Sequence, residues 1–84
     1  LKHAGSAALG QLSELIAQVR ARPGLREKAP GVFYRKSKAF LHFHEDPAGL
    51  FADIRIGAEF ERLAVNSKQG WAALLAAVDR AVMS

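Results

Sequence analysis

Apolar residues recur along this chain at two periods, and the change from one to the other divides it into three parts. In residues 6–21, Leu9, Leu12, Ile16 and Val19 recur at spacings of three, four and three, with Leu15 widening the stripe. Gln11, Glu14 and Gln18 fall on the opposite side, so the segment predicts an amphipathic helix. Ser6 is the expected N-cap, Arg20 and Arg22 sit at the negative end of the helix dipole, and Pro23-Gly24 stops the helix. In residues 67–83, Trp71, Leu74, Leu75, Val78 and Val82 form a second helical stripe. Ala72, Ala73, Ala76 and Ala77 raise its propensity, and Asn66 or Ser67 is the expected cap.

Between the helices the apolar period falls to two, as in a strand. Asp46-Pro47-Ala48-Gly49 is turn chemistry: a carboxylate to bond its own backbone, a preset φ, and a residue free to take φ > 0. A hairpin closed there pairs Glu45 with Leu50, His44 with Phe51, Phe43 with Ala52, His42 with Asp53, Leu41 with Ile54 and Phe40 with Arg55. Leu41, Phe43, Ala52, Ile54 and Ile56 then share one apolar face. A slip of one residue would mix the two faces, which favours this register.

Upstream, a loop over 22–31 leads into Val32-Phe33-Tyr34-Arg35, and a tight turn at Lys36-Ser37 returns the chain to Lys38. That turn pairs Arg35 with Lys38, Tyr34 with Ala39 and Phe33 with Phe40, leaving Val32 and Tyr34 on the core face. Downstream, Gly57-Ala58 leads to a fourth strand over Phe60–Val65 with two competing registers. A two-residue loop points Leu63 and Val65 inward together with Glu59 and Glu61, whereas a three-residue loop buries Phe60. A bulge or an edge position reconciles the pattern. The expected fold is α+β: a two-layer sandwich in the order α-β-β-β-β-α, with a meander sheet of three to four antiparallel strands. Both helices cover one face.

At 84 residues the chain makes one domain, and half of its residues are apolar, as a folded domain requires. It has no cysteine, which excludes disulfides and thiolate metal sites and agrees with a reducing cytoplasm. No apolar run approaches the ~20 residues of a membrane span, and no secretory signal is visible, so no membrane role is expected. The chain begins at Leu1 rather than Met, as a cropped or processed N-terminus would. Of the net charge of +4, residues 20–38 hold seven basic side chains against Glu27 alone, and the rest of the chain is net −2. A local basic segment of this kind suits a phosphate backbone or an acidic partner.

The candidate chemistry lies on the face the helices leave open, which carries Phe33, Arg35, Phe40, His42, His44, Phe51, Asp53 and Arg55. Three phenylalanines exceed what a solvated face favours, so the leading expectation is a non-catalytic contact surface for a second copy or a protein partner. Aromatics interleaved with arginines also suit single-stranded nucleic acid, although Glu45, Asp46 and Asp53 interrupt the patch. His42 and His44 project to one side and with Asp53 form a candidate metal set. The blander expectation is a His42–Asp53 pair with a charged imidazole, and His3 belongs to an N-terminal stretch expected to fray. His42, Asp53 and Arg55 lack an adjacent Ser or Cys nucleophile, a phosphate loop and an enclosed pocket, so no catalysis and no cofactor are expected.

The stretch from Lys38 to Arg55 resembles a signature of small uncharacterised bacterial proteins. The helix–meander–helix order, with its Lys38-x-Phe40 strand entry, is similar at the level of fold to MmcQ/YjbR-type domains and to frataxin-like sandwiches. The first resemblance implies DNA binding. The second implies iron handled by acidic helix surfaces, which does not carry over because the first helix has only Glu14.

Overall fold

The computed structural model describes residues 2–83. Its elements are β1 (Lys2–His3), α1 (Ser6–Gln11), α2 (Ser13–Arg20), β2 (Arg26–Ala29), β3 (Val32–Arg35), β4 (Lys38–Asp46), β5 (Gly49–Ile56), β6 (Glu59–Ala64) and α3 (Lys68–Met83). The fold is α+β, with one six-stranded antiparallel sheet rather than three or four strands. Its order is β2-β3-β4-β5-β6, and β1 pairs with the far end of β4. Because β5 occupies one edge of β4 from Leu41 to Asp46, β1 takes the other edge beyond the point where β3 ends.

The β4–β5 hairpin has the register its turn and alternation predict, from Leu41 opposite Ile54 to Asp46 opposite Gly49. The Asp46 carboxylate accepts the Ala48 N–H at 2.7 Å, which holds the turn. Between β3 and β4 the expected pairs Arg35–Lys38 and Tyr34–Ala39 form, but Phe33 lies opposite Leu41 instead of Phe40. A bulge at Phe40 shifts the phase by one residue. It carries Phe33 to the helix side, so Phe33 and Phe40 are 1% and 3% exposed and belong to the core. Burying a phenylalanine contributes roughly 1.5–3 kcal/mol, more than one disturbed ladder position costs.

Two strands escape the sequence pattern for different reasons. β2 lies inside the expected loop, as an edge strand of Arg26-Glu27-Lys28-Ala29 with little apolar alternation to reveal it. It joins β3 through Pro30-Gly31, where Gly31 takes φ 73° after the proline, the geometry of a type II turn. Glu27 secures this corner by accepting the Gly31 N–H at 2.9 Å while pairing with Arg20. β6 resolves in favour of the two-residue loop: Ile56 lies opposite Glu59, Ala52 opposite Leu63 and Asp53 opposite Arg62. Its edge position leaves Glu59 and Glu61 exposed, so no bulge is required.

The first predicted helix is two helices meeting at Leu12, whose backbone departs to φ −98°, ψ 9°. The Leu12 N–H is shared between the carbonyls of Ala8 and Leu9, and Gly5 rather than Ser6 is the N-cap. Leu12, Leu15, Ile16 and Val19 still face inward as the stripe predicts. α3 lies on β5 and β6 and meets α2, so one core cluster joins Leu74 and Val78 to Leu41, Phe43, Ala52 and Ile54. Ser67 Oγ accepts the Gly70 N–H at 3.2 Å, as a cap does. Asn66 uses its side chain on the Leu50 N–H instead, at 2.8 Å. Among the described residues no helix is long and apolar enough to cross a membrane.

Gly70 stands in the first turn of α3 where an added Cβ would lie 2.2 Å from the Ala64 carbonyl oxygen. Helix propensity alone makes Gly→Ala stabilising by about 0.5–1 kcal/mol. Here the obstacle is backbone, so Gly70→Ala is expected to destabilise the fold by about 1–3 kcal/mol in urea unfolding. An increase in stability would show that the entry to α3 tolerates movement.

Candidate functional site

His42 and His44 project from β4 to the open face because residues two apart on a strand share a side. β1 adds a third imidazole, since His3 lies opposite His44 and Lys2 opposite Glu45. The short strand is held by the Ala4 N–H on the Phe43 carbonyl at 3.0 Å and by the Gly5 N–H on the Glu45 carboxylate. Lys2 and Glu45 approach to 3.8 Å as well. The ring centroids are 4.7 Å apart for His42–His44, 4.9 Å for His3–His44 and 5.6 Å for His3–His42. One nitrogen from each ring can be chosen so that all lie within 4.8 Å of one another. Ligand atoms around a tetrahedral metal with bonds of about 2.0–2.1 Å stand about 3.4 Å apart, a separation small χ rotations would reach.

Asp53 is 8% exposed and pairs in register with His42, yet its carboxylate is engaged elsewhere. Arg62 on β6 donates to both oxygens, Nε to Oδ1 at 2.8 Å and Nη2 to Oδ2 at 2.9 Å. Oδ2 also lies 3.1 Å from His44 Nε2. The hydrogen bond from Arg62 holds the Asp53 carboxyl below the usual carboxylate range, against the opposing effect of burial. A charged His42 held by Asp53 is therefore not what forms. Burial, followed by repulsion from His44, pushes the His42 imidazole below its ordinary value, and Asp53 only partly opposes this. A neutral imidazole is the form that ligates a metal.

His44 is 9% exposed, and its Nε2 lies 2.8 Å from His42 Nδ1 as well as beside Asp53. Its Nδ1 is buried with no hydrogen-bond partner among the described residues. Leaving such a nitrogen unsatisfied costs about 1–3 kcal/mol. Asp53 therefore holds the same His44 nitrogen that faces His42, and the bare one is Nδ1. Phe60 closes one flank, its ring 5.1 Å from that of His42, with the Arg55 guanidinium stacked over it at 4.6 Å. Arg55 is fixed in turn by donating to the Ala39 carbonyl at 2.7 Å.

Of the residues expected on the open face, His42, His44, Asp53 and Arg55 gather at this site, and Phe51 lies half-buried opposite His44. Phe33 and Phe40 are in the core, and Arg35 lies at the β3–β4 turn. Three participants were not expected. Phe60 and Arg62 follow from the two-residue register of β6, one of the two the pattern allows. His3 depends on a two-residue strand too short to carry a period. The basic segment does not form one stripe: Arg20 pairs with Glu27, Arg22 with Asp79, and Lys28 caps the Tyr34 ring at 4.2 Å. Comparison with protein-family models, curated proteins and solved structures finds no match, so the MmcQ/YjbR-type resemblance gains no support.

Arg62 both lowers the His42 pKa by its own charge and occupies the carboxylate that would raise it. Arg62→Gln is therefore expected to raise the His42 pKa in an NMR titration, and Asp53→Asn to lower it. Equal His42 titration curves in all three proteins would mean that the Asp53–Arg62 pair has no influence on the imidazole.

Proposed function

We propose that the protein binds a divalent transition-metal ion through His3, His42 and His44, in the middle of its open sheet face. The observation that carries this reading is the convergence of three imidazoles from two strands, with one nitrogen of each within 4.8 Å of the others. An all-nitrogen donor set favours zinc, copper or nickel over magnesium and calcium, which take oxygen ligands. Asp53 positions the His44 ring through Nε2 at 3.1 Å, and Arg62 fixes Asp53 in turn. Three protein ligands leave one position open for water or another donor.

Zinc titration by calorimetry is expected to give one site per chain, with magnesium and calcium silent. His3→Ala, His42→Ala and His44→Ala should each weaken zinc by more than about 100-fold, and Asp53→Asn by about 10–100-fold, as supporting groups do. Circular dichroism verifies that each variant is folded. Isotherms of folded His42→Ala and His44→Ala that match the wild type would remove the proposal, since His3 alone would then account for the binding.

A second reading keeps this face as a contact surface for another copy of the chain, and Phe60 favours it at 39% exposure beside the imidazoles. It rests on a smaller aromatic area than expected, because Phe33 and Phe40 are buried. Sedimentation velocity should then show a dimer that Phe60→Ser weakens, whereas a monomer at every concentration would exclude it.

A further inference from the structure

A cleft of about 670 Å³ opens on the helix side of the sheet, away from the three histidines, between the β3–β4 turn, the ends of β5 and β6, and α3. Its floor is apolar, with Phe40 and Ile54 nearly or fully buried beneath it and Leu63 half-buried. On α3 the cleft is bordered by Ala73 and Ala77, one turn apart, whose short side chains leave the space unfilled. Its size falls within the range of small-molecule pockets, about 300–1,000 Å³.

The rim is cationic. Arg35, Lys36, Lys38 and Arg80 line the cleft against a single carboxylate, Glu61, while Arg55, which also borders it, has its guanidinium over Phe60. Among the described residues Arg35, Lys36, Lys38 and Arg80 form no ion pair, in contrast to Arg20, Arg22 and Arg62. Arg35 and Lys38 are also directly opposite one another across the strands, an arrangement of like charges that is unfavourable by itself. The turn between them adds a local cost, since Lys36 at φ 53° and Ser37 at φ 68° both occupy the left-handed region without being glycine. Positive φ at both residues is what a two-residue hairpin turn requires, so the unneutralised like charge is the feature here that suits an anionic ligand.

We propose that this cleft binds a small amphipathic organic anion, its apolar body on Ile56, Leu63 and Ala73 and its anionic head among Arg35, Lys38 and Arg80. The ligand class has two sources, an organic phosphate and an organic carboxylate, which share the negative head on an apolar body. Arginine binds either head through paired N–H donors. The apolar floor excludes a bare inorganic ion as the intended occupant. Charge complementarity favours an anionic head over a neutral or cationic one. The inference does not depend on the metal reading, since none of the three histidines lines the cleft.

The test titrates the full chain with decyl phosphate, decanoate, decanol and inorganic phosphate, following the backbone and Ala73 and Ala77 methyl signals by NMR. Decyl phosphate, decanoate or both should shift these signals saturably, and the tighter of the two identifies the head. Decanol and inorganic phosphate should leave them unchanged. Arg80→Gln should weaken the anion by about tenfold or more, as loss of a charged hydrogen bond does. Ala73→Leu, at an exposed position, should fill the cleft and abolish binding while the NMR spectrum remains that of a folded protein. Decanol binding as tightly as decanoate, or anion binding unchanged in folded Arg80→Gln and Ala73→Leu, would overturn the proposal. So would the absence of saturable shifts with both amphipathic anions.

Discussion

The pairing of β4 with β5 is the interaction on which the rest of the structure depends. It is fixed by a turn whose Asp46 carboxylate accepts a backbone N–H, and by an alternation that a slip of one residue would invert. Through it Leu41, Phe43, Ala52 and Ile54 present one apolar surface for α2 and α3 to cover. The same alternation sends His42, His44 and Asp53 to the other side. β4 is longer than its neighbours and carries partners along both edges, so β1, β3 and β5 all take their positions from it. The core and the candidate metal site are two faces of one register.

The open face is organised by a nearly buried carboxylate. Asp53 in isolation would either charge a histidine or take up a proton. Arg62 changes both outcomes, because a bidentate guanidinium satisfies the charge and leaves the imidazoles to be governed by burial and by one another. His42 is accordingly held toward its neutral form, chiefly by burial and then by His44.

The two proposed sites divide the basic and ionisable residues between them. Toward the open face, charge is paired: Arg62 with Asp53, Arg55 over Phe60, Lys2 near Glu45. Around the cleft beside α3 the cations of the β3–β4 turn and Arg80 remain unpaired among the described residues. The seven basic side chains of residues 20–38 therefore do not act as one segment. Three are absorbed in holding the helix end and β2 in place, and three gather at a cavity whose other lining is apolar.

The sequence by itself determined the apolar stripes of the helices, the β4–β5 register and its turn. It also placed His42, His44 and Asp53 on one side of the sheet, because each depends on spacing within a few residues. Tertiary structure decided what depends on long-range competition. Phe33 and Phe40 entered the core because a bulge buries more apolar surface than a regular ladder would. β2 formed although its edge sequence carries little alternation, since an edge strand needs only one partner. Asp53 turned from His42 to Arg62 once β6 chose the register that points Leu63 inward. His3 joined the imidazoles only because the free edge of β4 beyond β3 was available to a two-residue strand. Local spacing records which face a residue occupies, but not which of several neighbours on that face it meets. That choice belongs to packing.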